Sequence, residues 1–139
     1  MSVGGVDRFN AIFAPLLLET IKGPIPDTYR LPPNVAPENA AAHYLAITEQ
    51  LLQKHHEEIA ACIMEPLVQC AAGIVTHPPG FLRGIERLCR KYNILLIADE
   101  IAVGFGRTGT LFACEQEGIE PDFLCLGKGL TAGYLPMSA

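Results

Sequence analysis

The stretch ILLIADE, residues 94–100, decides the fold of this 139-residue chain. Five apolar residues follow one another here, without the polar alternation of a strand that has one face in water. An uninterrupted run of this length, ended by two acids, is typical of a parallel strand covered on both faces. We therefore predict a buried strand over Ile94–Ala98 that ends at Asp99 and Glu100.

Further apolar runs on either side of this strand extend the pattern. Ala60–Met64 and Phe123–Leu126 each predict a short buried strand. Apolar residues at helical spacing predict amphipathic helices from about Glu38 to His55 and from Gly80 to Tyr92, and a short helical piece is expected near Leu111–Glu117. Strand, helix, strand, connector and strand in this order predict an α/β architecture with right-handed crossovers.

The first 37 residues differ from the rest, because they contain six of the eleven prolines. Proline disfavours helix interiors and central strands, so an irregular segment is expected over residues 1–37 and an α/β core over residues 38–139. The segment is nevertheless apolar at Phe9, Ile12, Phe13 and Leu16–Leu18. We expect it to lie against a surface, whether or not this chain supplies that surface.

Composition excludes several classes of function. The net charge of −5 provides no basic footprint for nucleic acid. The longest apolar run, Ala11–Leu18, contains Pro15 and is far shorter than the ~20 residues of a membrane span, and no secretory leader pattern opens the sequence. The five cysteines form no C-x-x-C pair, which favours buried free thiols in a reducing, cytoplasmic compartment.

Three polar residues follow the predicted strands: Glu65, Asp99 and Lys128. In open parallel sheets, ligands bind at the carboxyl ends of the strands, which is where these residues are expected. Asp99 is either a cap or turn former, or a carboxylate held against a cationic ring nitrogen or a metal. Lys128, between Gly127 and Gly129, is either a solvated loop lysine or an amine tuned to act as a nucleophile. Together Asp99 and Lys128 fit pyridoxal phosphate (PLP), with the lysine as its covalent anchor and the acid on its ring nitrogen.

Other motifs are weaker. GFGRTG, residues 104–109, spells the dinucleotide fingerprint, but it does not follow its strand directly and is a poor helix start. A phosphate-binding loop at Gly127-Lys128 fails on spacing, and the adjacent His55 and His56 point about 100° apart on a helix, so they cannot share a metal. Arg107 is either a phosphate ligand or, as we favour, a loop clamp on a carboxylate. Glu65 is either an ion-pair partner or a catalytic group, and we favour a role in support of the site.

IADEIAVGFGRTG at residues 97–109, followed by LGKGL at residues 126–130, resembles the signature of class III PLP-dependent aminotransferases. The resemblance implies the large PLP-binding domain of a fold-type I aminotransferase, a homodimer, small-molecule substrates and no metal. It assigns Lys128 to the covalent bond with PLP and to contact with the substrate, and Asp99 to the pyridine nitrogen. It also implies that Ile101 packs on the ring face, while Glu65 and Arg107 support these contacts.

EPLVQ at residues 65–69 and LFACE at residues 111–115 are similar to one branch of this family. That branch transfers the amino group of S-adenosylmethionine to 8-amino-7-oxononanoate in biotin synthesis. An ω-amino-acid or lysine-donor aminotransferase is the alternative. Because the family's domain extends beyond both ends of the match, the resemblance implies an internal fragment, which we expect to be inactive alone, as a truncated product would be.

Overall fold

A three-stranded parallel sheet forms the centre of the computed structural model, which describes residues 2–4 and 10–139. The strands are β1 (Ala61–Met64), β2 (Val68–Gln69), β3 (Val75–Thr76), β4 (Leu95–Asp99) and β5 (Phe123–Cys125). The helices are α1 (Ala40–His55) and α2 (Phe81–Lys91), with 3-10 turns at Ala11–Leu16, Pro37–Asn39, His56–Glu58, Ala113–Glu117 and Lys128–Thr131. The main sheet has the order β1-β4-β5, and both pairs are parallel, so the predicted α/β class is confirmed.

The register of the sheet fixes which residues meet at its carboxyl edge. Met64 of β1 pairs with Ala98 of β4, and Asp99 pairs with Cys125 of β5. All three strands lie within one residue of their predicted bounds at each end. The residues that follow them therefore emerge side by side.

Coverage of the sheet differs from the expectation for β4. Leu96 is fully buried in a core cluster with residues of α1 and α2. The opposite face is partly open, since the side chains of Leu95 and Phe123 are 45% and 56% exposed. The prediction of a strand covered on both faces is thus wrong for the described part of this chain, because both helices pack on the same side of the sheet.

Helix α2 is capped from a distant part of the chain. Its N-cap residue, Gly80, has no side chain to offer and takes a φ of 83°, in the left-handed region. The carboxylate of Glu117 instead accepts hydrogen bonds from the N–H groups of Gly80 (2.7 Å) and Arg83 (2.8 Å). The 3-10 turn Ala113–Glu117 therefore supplies the negative charge that a helix N-terminus favours.

Asp122 ties α2, β4 and β5 together. One of its oxygens accepts from the Leu96 N–H (2.7 Å) and from the Arg90 guanidinium (2.6 Å). These two donors hold the pKa of the Asp122 carboxyl below its ordinary value. The turn before β5 is thereby fixed in register with the middle of β4.

The antiparallel ribbon of β2 and β3 was not anticipated. Val68 pairs with Thr76 and Gln69 with Val75, so the ribbon stands directly after Glu65 and Pro66. Two-residue strands carry too little apolar pattern to be recognised from sequence.

The N-terminal segment lies open in this chain. Among its described residues, Ile12, Leu16 and Leu18 are 76%, 83% and 78% exposed. The surface against which this segment was expected to lie is not supplied by the described residues, and Phe9 falls outside them. No helix in the part of the chain that the structure describes is long and apolar enough to cross a membrane.

Candidate active site

Glu65, Asp99 and Lys128 come together at the carboxyl edge of the sheet. Because Met64 pairs with Ala98, Glu65 follows the end of β1 at the level of Asp99 on the neighbouring strand β4. The pKa of Glu65 is raised, chiefly by burial and further by the negative charge of Asp99, while the positive charge of Lys128 acts in the opposite direction. The Glu65 carboxylate therefore lies within electrostatic range of both Asp99 and Lys128.

Asp99 has a structural contact and a free oxygen. Its Oδ1 accepts a hydrogen bond from the Ile101 N–H at 3.1 Å, which is the turn-forming role considered from sequence. Its Oδ2 receives no hydrogen bond from any residue in the described ranges. One oxygen orients the carboxylate, and the other remains for a cationic partner.

Lys128 stands on a tightly packed loop. Its backbone φ of 35° lies in the left-handed region, and its residue surface is exposed. A Cβ at Gly127 would come within 3.1 Å of Ile101 Cγ2, and one at Gly129 within 2.7 Å of Phe105 Cδ2. A side chain is thus excluded at Gly129 unless Phe105 moves, and it is crowded at Gly127, because side chains from the loop after β4 pack against the backbone on both sides of the lysine.

Cys70 also belongs to the site, although sequence reasoning gave it no role there. Its N–H donates to Glu65 Oε2 at 3.0 Å. Burial raises the pKa of the Cys70 thiol, and so does the charge of Glu65, whereas Lys128 lowers it. The position of Cys70 depends on the β2–β3 ribbon, which turns the chain back toward Glu65.

Glu100 is a second residue that sequence reasoning missed. Its side chain is fully buried and accepts hydrogen bonds from the N–H groups of Ala113 (3.0 Å) and Cys114 (2.8 Å). Its carbonyl oxygen accepts from the Gly104 N–H at 2.8 Å. Glu100 thus anchors both ends of the loop that carries Ile101 and Phe105, and strand alternation with Leu96 and Ala98 was the signal for its burial.

The remaining candidates lie apart from this cluster. Arg107 is exposed and forms no hydrogen bond or ion pair with another residue of the described ranges, so the favoured clamp stays a prediction. The GFGRTG stretch forms turns and opens no helix, which excludes the dinucleotide fingerprint. His55 contacts Glu58, whereas His56 Nδ1 lies 3.1 Å from the Leu52 carbonyl oxygen.

The family model described as "Aminotransferase class-III" matches residues 1–139, the whole chain. The chain belongs to the class III aminotransferase family. Among curated relatives of this class III chain, proteins named adenosylmethionine-8-amino-7-oxononanoate aminotransferase from Nitratidesulfovibrio vulgaris and Aquifex aeolicus are 48% and 50% identical to it. Each alignment covers all of this chain but only 26% and 31% of the relative, so the chain spans less than a third of their length.

Solved structures give the same fold. A thermostable (S)-enantioselective omega-transaminase from Thermomicrobium roseum superposes with a TM-score of 0.90 at 40% identity, over 99% of this chain and 31% of that one. An omega-transaminase variant from Pseudomonas jessenii superposes with a TM-score of 0.88 at 35% identity, over 99% of this chain and 31% of its own. The chain therefore has the α/β fold of fold-type I aminotransferases, as the sequence implied.

Proposed function

We propose that this class III chain forms the PLP-binding part of an enzyme that transfers an amino group from S-adenosylmethionine to 8-amino-7-oxononanoate. The observation that carries the proposal is the placement of Asp99 and Lys128 at the carboxyl ends of the paired strands β4 and β5. Relatives 44% to 50% identical to the chain carry the name of this activity. The product would be 7,8-diaminononanoate, an intermediate of biotin synthesis.

The chemistry of the residues fits PLP. An exposed primary amine on a left-handed loop suits a covalent bond to an aldehyde, and Asp99 Oδ2 suits a protonated pyridine nitrogen. The positive charge of Lys128 lowers the pKa of Glu65, and Glu65 also accepts a hydrogen bond from the Cys70 N–H. These features support PLP as the cofactor, and no metal is needed by this arrangement.

PLP, when bound, supplies an electron sink for the carbon that carries the amino group. Lys128 would hold the cofactor through Nζ. Once the substrate amine had displaced it, the freed Nζ would move the proton that the substrate carbon loses and regains. Asp99 would keep the proton on the ring nitrogen, and Ile101 would pack on the ring face. Glu65 would orient the ribbon at Cys70, while Arg107 would support the loop, either on a carboxylate or on phosphate.

The overall exchange balances without an external oxidant. The donor carbon is oxidised from amine to ketone, and the C7 ketone of the acceptor is reduced to an amine. The substrates are small molecules, and we assign the enzyme to the cytoplasm as a homodimer. The whole chain represents part of the large domain, with an irregular segment over residues 1–37 and the α/β core over residues 38–139.

A second candidate is an omega-transaminase with a different amino donor. The fold match to the Thermomicrobium roseum enzyme favours it, yet the identity of 40% is lower than the 48% and 50% above. A lysine donor would leave the same residues at the sheet edge. Assays with S-adenosylmethionine, lysine and ω-amino acids, in a protein that carries this chain, separate these donors.

Borohydride trapping tests the cofactor assignment. The protein is mixed with PLP, reduced and mapped by mass spectrometry, with Lys128→Ala as the variant and Lys54→Ala as the matched control. Selective labelling of Lys128, lost only in Lys128→Ala, supports the proposal. Equal labelling of Lys22, Lys54, Lys91 and Lys128 contradicts a PLP pocket in the chain tested and would agree with an inactive truncated product.

A further inference from the structure

The backbone of Lys128 is held in a costly conformation. Its φ of 35° lies in the left-handed region, where the Cβ of any residue other than glycine crowds the backbone carbonyl oxygen. Such a residue persists only when its surroundings fix it. The loop Gly127–Gly129 therefore needs neighbours that hold it in place.

Phe105 packs closely against Gly129, the residue that follows the lysine. An added Cβ at Gly129 would lie 2.7 Å from Phe105 Cδ2, 2.9 Å from its Cβ and 3.0 Å from its Cγ. Real Cβ atoms do not approach other atoms so closely, so the side chain of Phe105 fills the space directly against the Gly129 backbone. Any rotation that moved Gly129 toward the ring would be blocked.

Phe105 is itself fixed by its loop. Its ring packs edge to face against Phe112, with ring centroids 5.8 Å apart. The Gly106 N–H donates to the Leu111 carbonyl at 3.1 Å, and the buried Glu100 carboxylate holds the residues after Phe112. A chain of contacts thus runs from the core of the sheet to the loop of the lysine.

We propose that Phe105 is a positioning residue, which keeps the backbone of Lys128 left-handed and so directs its amine toward Asp99 and Glu65. This role rests on the proposed function for its purpose, but the contact itself does not depend on PLP. Phe105 acts through Gly129 and touches no reacting atom. Its side chain is 37% exposed, so hydrophobic burial alone does not account for its placement.

Limited proteolysis without cofactor gives the first readout. Trypsin cleaves after lysine only when the surrounding chain opens, and Lys128 is compared with Lys22 in the same protein. We expect Phe105→Ala to raise the rate after Lys128 by about tenfold relative to Lys22, as a loss of local protection. Phe105→Leu keeps the Cβ, Cγ and Cδ that contact Gly129 and should stay within about twofold of the wild type.

Two further variants separate this role from a general loss of stability. Phe123→Ala removes an exposed phenyl ring five residues before Lys128 and should leave the relative rate unchanged. Gly129→Ala should increase cleavage in the wild-type background, yet add little when Phe105 is already alanine. An unchanged rate after Lys128 in Phe105→Ala, an equal rise at all sites, or no coupling with Gly129→Ala would each overturn the proposal.

PLP trapping gives the second readout and separates the two hypotheses. If the wild type labels Lys128 selectively, Phe105→Ala should reduce that labelling severalfold, and Phe105→Leu should restore it. Unreduced labelling in Phe105→Ala would overturn the positioning role while leaving the proposed function intact. If the wild type shows no selective labelling but its proteolysis depends on Phe105, the chain tested lacks a PLP pocket and the backbone role of Phe105 stands.

Discussion

Asp99 and Glu100 are adjacent in the chain, yet their carboxylates serve opposite faces of the sheet. Asp99 follows the partly open face of β4 and lies beside Glu65. Glu100 continues the face of Leu96 and Ala98 and is fully buried. Because successive side chains of a strand point to opposite faces, Asp99 lies at the candidate active site and Glu100 anchors the loop that follows β4.

Removal of the Glu100 carboxylate should destabilise the fold. Glu100→Ala leaves the N–H groups of Ala113 and Cys114 buried without acceptors, so we expect a loss of about 3 kcal/mol in the free energy of unfolding. Urea denaturation measures it. Glu120→Ala, on an exposed side chain, is the matched control and should change stability by less than about 0.5 kcal/mol. Equal effects of the two variants would contradict the anchoring role.

The distant cap of α2 gives a second prediction. Glu117→Ala removes the acceptor for the Gly80 and Arg83 N–H groups, and it should cost about 1 kcal/mol. The measurement is urea denaturation, together with amide exchange at the first turn of α2. Glu57→Ala, also an exposed acid, is the control. Exchange at Gly80 and Arg83 that stays at the wild-type rate would exclude the cap.

Titration of Glu65 should make stability fall as pH rises. Its folded pKa lies above the ordinary 4.5, so the folded state binds a proton more tightly than the unfolded state does. The contribution is favourable at low pH and is lost as pH increases from about 4.5 through the raised folded value. Glu65→Gln should remove this pH dependence in unfolding experiments between pH 4 and pH 7.

Lys128→Met provides an internal check on the same titration. Loss of the positive charge removes an influence that lowers the Glu65 pKa, so that pKa should rise further in this variant. Carboxyl carbon NMR follows it directly. A Glu65 titration that is identical with and without Lys128 would show that the two groups do not interact.

His77 should produce the opposite dependence on pH. Burial lowers its pKa from 6.5 to about 4, and its buried Nδ1 has no hydrogen-bond partner in the described ranges. The folded state therefore disfavours the charged ring, and stability is lost as pH falls from about 6.5 toward 4, by at most about 1.4 kcal/mol per pH unit. His77→Phe keeps a ring against Phe81 and should abolish this loss, as measured by thermal unfolding across that range.

Asp99→Asn tests the cofactor contact. An amide cannot stabilise a protonated ring nitrogen as a carboxylate does, and loss of such a partner costs about 2 kcal/mol or more, or about 30-fold in affinity for PLP. Asparagine can still accept from the Ile101 N–H, so the turn should persist. PLP titration by absorbance measures the affinity. A dissociation constant that is unchanged in Asp99→Asn would place the ring nitrogen elsewhere.

The sequence predicted the elements with strong apolar periodicity and missed those held by single contacts. Long apolar runs marked β1, β4 and β5, and helical spacing marked α1 and α2. The β2–β3 ribbon depends on the turn at residues 70–74 and on Cys70, which no periodicity reveals. The burial of β4 was overestimated because its apolar sequence shows only that both faces could be buried. The face that is buried depends on where α1 and α2 pack, and both helices pack on the same side of the sheet.

In the candidate site, too, the sequence predicted what depends on the strands and missed what depends on single contacts. Asp99 and Lys128 could be placed because strand ends share an edge, and register is a property of the whole sheet. The packing of Phe105 against Gly129 could not, since it joins residues from two separate loops by shape alone.

The cap on α2 also bears on the order in which a nascent chain can fold. Gly80 finds its acceptor in Glu117, 37 residues later, and the Leu96 N–H finds its acceptor in Asp122, 26 residues later. While the ribosome is still adding the residues in between, α2 and β4 are synthesised but lack these bonds. The cap of α2 and the bond that ties β4 to the turn before β5 therefore form only after Glu117 and Asp122 have been added, and a ribosome that stalled before Glu117 would release a chain with neither in place.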